Sequence, residues 1–198
     1  VLKYIYTSIA RSYLYEYSDK EIYESIMNDS YKNSERKIDG IDLKGLHTII
    51  KPVISKLKEE GYNITEHYAD RNVRWRNSLE MAEYYSEIDM CLCTSIHEGT
   101  PLPLLEGMSC GVPIISTDVG IVPEVFGEKQ KDFIIGDRNN GDNDEEIKKI
   151  LEEKIIYLYN NRNILEELSK ENIDSINEFD KEDRLKNFEE FFDNCLNS

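Results

Sequence analysis

The sequence predicts an α/β fold, a Rossmann-like parallel sheet with helices on both faces. Three observations carry this. Short apolar runs alternate along the chain with segments of helical periodicity, the order that gives parallel strands joined by crossover helices. One of these runs, DMCLCTS, is apolar on both faces of its pleat, as a strand covered on both sides must be. The 198 residues, 39 % of them hydrophobic, suffice for one core. Residues 1–198 are therefore read as one domain, with an insertion at about 16–38 and a helical C-terminal tail at about 161–198.

In chain order, LKYIYTSIA is a β-rich opening strand. Residues 16–38 are polar and weakly periodic, a short helix plus an insertion loop. KGLHTIIKPVISKLKEEGY is an amphipathic helix: Leu46, Ile49, Ile50, Val53, Ile54 and Leu57 recur at helical spacing, and Gly61 closes it. YNITEHYA is the second strand. SLEMAEYYSEI is a short helix with Ser78 as its N-cap and Met81 near N3. DMCLCTS is the third strand. Cys91 and Cys93 alternate in it and so share a face, which favours a buried structural role over zinc ligation or a disulfide. A loop at 97–102 and a helix at about 102–110 come next, then VPIIST as a fourth strand and DFIIG as a fifth. DNDEEIKKILEEKIIYLYNN is a helix whose acidic first turn suits the helix dipole. RNILEELSKENIDSINEF and KEDRLKNFEEFFDNCL are two further helical stretches. In the last, Leu185, Phe188, Phe191, Phe192 and Cys195 form an apolar stripe. It packs on the chain's own sheet, or it serves self-association or a partner.

Composition narrows the function. A net charge of −16 argues against general nucleic-acid affinity, since phosphate backbones need a basic face. Arg71, Arg74 and Arg76 form the clearest cationic cluster, either an anion site or a solvated helix face. No apolar run reaches the ~18 residues of a membrane span. The opening VLKYIYTSIARSYL lacks a signal peptide's apolar stretch. With four cysteines and no C-x-x-C pair, the chain is expected to be reduced and cytoplasmic. Its first residue is Val, so it is expected to be a piece of something longer.

The most informative stretch is HEGTPLPLLEGMSCGVPIISTDVG. It falls after the third strand, and open α/β sheets bind ligands beyond the carboxyl ends of their strands. Gly99 lets the backbone turn freely, and Pro103 fits a first helical turn. The N–H groups of Leu104 and Leu105 are expected to point outward, a setting for phosphate. Glu98 precedes the helix and Glu106 lies about one turn, ~5 Å, inside it. Carboxylates only accept hydrogen bonds, so beside a phosphate site they suit neutral hydroxyls: those of a ribose and of a sugar. The alternative is a helix-dipole residue at Glu98 and a solvated face at Glu106.

The same stretch resembles the donor-binding motif of retaining glycosyltransferases with the two-domain B-type fold, above all glycosyltransferase family 4. The matching residues are Glu98, Gly99, Glu106, Cys110, Gly111, Pro113, Thr117, Asp118 and Gly120, continuing through Pro123 and Glu124. DLKGLHTIIKPVISKL resembles the family's Lys-Gly helix, and the resemblance runs from about Asp42 to the C-terminus. It implies that the chain is the C-terminal, donor-binding half of such an enzyme. Glu106 would hold the ribose hydroxyls of a nucleotide-diphosphate sugar, and Glu98 would contact the transferred sugar as the catalytic-site carboxylate. Gly99, Thr100 and Leu102 would lie along the diphosphate and sugar, and Lys44 would pair with the diphosphate. An arginine after the first strand is also implied, for which Arg11 or Arg36 can serve. The family's glycine-rich turn after that strand is missing, Pro101 replaces a frequent glycine, and Ile121 stands where a second glycine often follows Gly120.

No cofactor or metal is implied beyond the donor substrate, and His47, His67 and His97 are scattered. His97 adjoins Glu98, where it either reaches the donor or is a plain loop residue. The expected partners are the nucleotide-diphosphate sugar and an acceptor-binding domain or partner chain, or self-association through the C-terminal helix. The competing readings are a stand-alone nucleotide or nucleotide-sugar binding module without turnover, and an interaction protein that keeps the fold.

Overall fold

The computed structural model describes residues 2–6, 42, 44–68, 76–177 and 179, with the backbone alone at 2–6, 68 and 78. The 16–38 insertion, Arg11, Arg36, Arg71, Arg74 and the stripe of Leu185, Phe188, Phe191, Phe192 and Cys195 lie outside the described residues.

Four strands form a parallel sheet: β1 (Leu2–Tyr6), β2 (Ile64–Tyr68), β3 (Met90–Cys93) and β4 (Ile114–Ser116), in the order β2-β1-β3-β4. Tyr4 stands opposite both Glu66 and Met90, and Cys91 opposite Ile114. The chain steps to one side of β1 for β2 and to the other for β3. The switch point of the sheet therefore lies between β1 and β3, where open α/β sheets bind ligands beyond the carboxyl ends of their strands.

Among the described residues, six α-helices flank the sheet: α1 (Lys51–Glu59), α2 (Ser78–Ser86), α3 (Leu102–Ser109), α4 (Val122–Val125), α5 (Asp144–Asn160) and α6 (Arg162–Asn177). Alternation along β3 sends Met90 and Leu92 into one core and Cys91 and Cys93 into the other. The first core takes the predicted stripe of Leu46, Ile49, Ile50, Val53, Ile54 and Leu57, with Ile147, Leu151, Ile155 and Leu158 of α5. The second holds Tyr85 of α2, Leu104 and Met108 of α3, and Val122 and Val125 of α4. The last helix serves both: Leu168 is buried in the first core, and Ile176 packs against the second.

Five local expectations are corrected, the last two of them at the site. The helix holding Leu46 opens as a π turn at Leu46–Ile50, where the N–H groups of both Ile49 and Ile50 donate to Gly45 O. Pro52 has no N–H for a bond back to Thr48, and its ring crowds that turn open. Downstream the helix ends as expected, with Tyr62 N–H on Leu57 O and Gly61 N–H on Lys58 O. The N-cap of α2 is Asn77 rather than Ser78: Asn77 Oδ1 accepts from the N–H groups of Leu79 and Glu80, and Glu80 accepts from Asn77 N–H, a complete capping box. DFIIG is no full strand. Its pairing shrinks to one bridge between Ser116 and Ile134, with Ile135 N–H on Ser116 O. The residues before it wind into a 3-10 turn (Gln130–Phe133), and the Gln130 amide takes the ladder position at Ile114, accepting from its N–H at 3.2 Å and donating to its O at 2.6 Å. A side chain thus satisfies the edge groups that a neighbouring strand would otherwise pair. The other two corrections, at Gly99 and at Leu104 and Leu105, belong to the site.

Candidate functional site

The site is built from loops that leave the two strands at the switch point. After β1 the chain reaches Asp42 and Lys44, and after β3 it reaches Ser95 and Glu98. The Lys44 ammonium forms an ion pair with Glu98 Oε1, and Ser95 Oγ donates to the same oxygen at 2.8 Å. The two side chains are 20 % and 16 % exposed, so the pair is shielded and still reachable.

Each backbone segment is held from beneath. Asp42 accepts from the N–H groups of Gly45 (3.0 Å), His47 (2.6 Å) and Thr48 (3.0 Å), satisfying donors at the start of the helical segment. Thr94 Oγ1 donates to Lys44 O at 2.8 Å. Gly45 lies so flat on Thr94 that an added Cβ would stand 2.3 Å from Thr94 Oγ1, at a φ of 71°. Across the site, Thr117 N–H donates to Cys93 O and its Oγ1 to Ser95 O at 2.7 Å, which extends the β3–β4 pairing past both strand ends. Gly120, with φ 52°, packs its backbone on the Glu98 turn, where a Cβ would stand 1.9 Å from Gly99 O. Ile121 N–H donates to that same oxygen at 3.1 Å.

Gly99 itself has open space around it and no left-handed φ. The turn's need for glycine therefore falls on Gly120, a correction of the expectation. The N–H groups of Leu104 and Leu105 are not free donors either. Both return to Pro101 O, at 2.9 and 3.4 Å, and Leu102 N–H bonds Thr100 O. Pro101, buried just before the helix, offers its carbonyl inward and closes the first turn on itself. Thr100 is exposed, and Leu102 shows 47 % of its surface at the head of α3.

Glu106 lies in the second turn of α3, exposed, and its bond goes to α2: Tyr85 OH is 3.1 Å from Glu106 Oε2 and equally far from Pro103 O. Burial first, then Cys91 and Glu106 nearby, push the Tyr85 phenol well above its ordinary value, so it remains a donor to the carboxylate. Lys44 and Glu98 are thus brought together, and Glu106 is oriented separately by Tyr85. His97 is exposed beside Glu98. Arg76 lies over the Tyr84 ring, 4.4 Å from its centroid.

Reading the sequence alone missed Ser95, Tyr85 and Arg138. Arg138 donates to Thr94 O, to Asp42 O and twice to Asp144. The signal for it was its place just past the last apolar run, on the carboxyl side of the sheet. Tyr85 stood in a helix whose apolar face had to meet β3.

Parallel strands flanked by helices, with charged side chains at the switch point, define an α/β domain with a candidate site at the carboxyl edge of its sheet. Comparison with known proteins takes the next step. The family described as glycosyl transferases group 1 matches residues 54–172, more than half of the chain, and the chain belongs to that family. N-acetyl-alpha-D-glucosaminyl L-malate synthase of Bacillus anthracis is 34 % identical over 91 residues, 45 % of this chain and 24 % of that protein. The UDP-N-acetylglucosamine--peptide N-acetylglucosaminyltransferase GtfA subunit of Streptococcus pneumoniae is 27 % identical over 96 residues, 48 % of this chain and 19 % of that protein. The chain therefore spans less than a quarter of either relative. Among solved structures, the C-terminal domain of a glycosyl transferase group 1 family protein (LpcC) from Francisella tularensis superposes with a TM-score of 0.50 at 16 % identity. The match covers 89 % of this chain and 84 % of that one, so the two share a fold, that of a B-type glycosyltransferase C-terminal domain.

Proposed function

We propose that this chain is the donor-binding half of a retaining glycosyltransferase, which takes a sugar from a nucleotide-diphosphate sugar and passes it to an acceptor held by a second domain or partner chain. The observation that carries the reading is the ion pair of Lys44 and Glu98 at the switch point. An ammonium there suits a diphosphate, and a carboxylate beside it suits sugar hydroxyls. The relatives named as transferring or using N-acetylglucosaminyl groups support a nucleoside-diphosphate donor.

In this reading the donor displaces the ion pair. Lys44 turns to the diphosphate and neutralises charge that grows on the leaving phosphate oxygen as the sugar departs. Glu98, still fixed by Ser95, accepts hydrogen bonds from the transferred sugar. Glu106, oriented by Tyr85, accepts from the ribose hydroxyls. Gly99, Thr100 and Leu102 border the sugar and diphosphate, and Leu102 gives the sugar an apolar rim. Arg11 stays a candidate second cation for the diphosphate. The unpaired thiols of Cys91, Cys93 and Cys110 suit a reducing compartment such as the cytoplasm.

Calorimetry of the chain against UDP, GDP and their sugar derivatives tests the proposal. Saturable one-to-one binding of at least one nucleoside diphosphate is expected. Absence of binding to the whole panel at millimolar concentration would refute it.

A further inference from the structure

We infer that Arg138 is a positioning residue of the donor site, holding the Lys44 loop against the carboxyl end of β3 so that the ammonium meets the diphosphate. The inference rests on the donor-site reading above. Its side chain is 4 % exposed, and its hydrogen bonds go to Thr94, Asp42 and Asp144.

Its four bonds tie together three segments distant in sequence. Nη1 donates to Thr94 O at 2.6 Å, at the end of β3. One Nη2 proton goes to Asp42 O at 3.2 Å, in the loop that carries Lys44. Nε and Nη2 hold the Asp144 carboxylate side-on at 2.9 and 3.1 Å, at the first residue of α5. Asp42 in turn caps the N–H groups of Gly45, His47 and Thr48, and Thr94 hydrogen-bonds the Lys44 carbonyl. The residues on either side of the contact, Asp42 and Thr94, are thus both held by one rigid plane.

Only arginine can do this. Its donors point in fixed, separate directions in one plane, two toward a carboxylate and others toward carbonyls. A lysine ammonium carries one nitrogen and cannot span acceptors on three segments. The charge is balanced by Asp144, so Arg138 adds no net field to the site and acts through geometry.

A double-variant cycle tests this, with UDP and GDP as probes and melting curves recorded for every protein. Arg138→Lys is expected to weaken binding of the nucleoside diphosphate at least fivefold. In a Lys44→Ala background the same substitution is expected to change it less than twofold, because the group it positions is gone. Asp144→Asn, which loosens the clamp while keeping the arginine, is expected to follow the same pattern and stands in should Arg138→Lys not fold. Equal losses in both backgrounds, or no loss in folded Arg138→Lys, would overturn the inference while leaving the donor site standing. No binding of either probe by the parent chain would overturn the donor reading and this inference together.

Discussion

In the proposed donor site Glu98 has two jobs that conflict, and the conflict is measurable. It pairs with Lys44, and a diphosphate bound as proposed must win that same ammonium. For a nucleotide without a sugar the carboxylate is only a competitor. Glu98→Gln is therefore expected to tighten UDP or GDP binding about fivefold, on the order of 1 kcal/mol for a partly shielded pair, and to abolish sugar transfer in a complete enzyme. Titration of the variant checks the first part; weaker nucleotide binding would show that Glu98 and Lys44 do not compete. Glu106→Ala is expected to cost about 1–3 kcal/mol of nucleotide binding, the range for hydrogen bonds to a charged acceptor. Equal affinities in calorimetry would make Glu106 a solvated face. Gly120→Ala attacks the support of Glu98: its Cβ would meet Gly99 O in a backbone conformation that alanine rarely adopts. A loss of about 1–3 kcal/mol from that conformation alone is expected in chemical denaturation, with binding falling too because the Glu98 turn must shift.

Among the elements, β3 carries the clearest pH signature. Burial pushes the thiols of both Cys91 and Cys93 up from their ordinary 9.0. In the unfolded chain they ionise near that value, while in the fold they stay neutral. The stability they contribute is whole below pH 9 and falls as pH rises toward their folded values, by up to ~1.4 kcal/mol per pH unit for each thiol. Melting in reductant from pH 8 to 10.5 is expected to show a steep alkaline decline that is shallower in a Cys91→Ala, Cys93→Ala variant. Parallel curves would show that the thiols titrate alike in both states. For α2, removing the Asn77 cap is expected to cost about 0.5–2 kcal/mol. These elements also mark how far the sequence could be read. Helical spacing gave the buried face from Leu46 to Leu57 residue for residue, because one stripe must meet one sheet. The cap of α2 was misplaced by one position, since Asn77 and Ser78 are both good caps and only Glu80 three residues beyond Asn77 decides between them. The fifth strand was overread because an apolar run says nothing of the Gln130 amide that occupies its ladder position. At the candidate site, Glu98 and Glu106 were proposed from their place beyond the third strand and Lys44 from the family resemblance; the structure puts Lys44 and Glu98 in contact and Glu106 on Tyr85. Tyr85 and Arg138 were hidden because they act across 21 and 44 residues of sequence, and Ser95, three residues before Glu98, because only the fold of the turn brings its hydroxyl onto that carboxylate.

For the whole molecule, binding and transfer separate. Group transfer needs both reactants held in near-attack geometry, and the proposed site accounts for the donor alone. The 198-residue polypeptide alone is expected to bind a nucleotide sugar and at most hydrolyse it slowly. Radiolabelled sugar passed efficiently to an external acceptor by this polypeptide would show that it, or its dimer, forms a complete site. The central claim is narrower: the nucleotide lies at the switch point, between the Lys44 loop and the head of α3. Amide chemical-shift mapping during titration with UDP or GDP tests it most directly. The expected result is a set of shifts confined to residues 44–47, 94–102 and 106, with the amides of α5 beyond its first turn unmoved. Shifts gathered instead around Phe126, Lys129 and Glu171, in the groove between α4 and α6, would contradict the account.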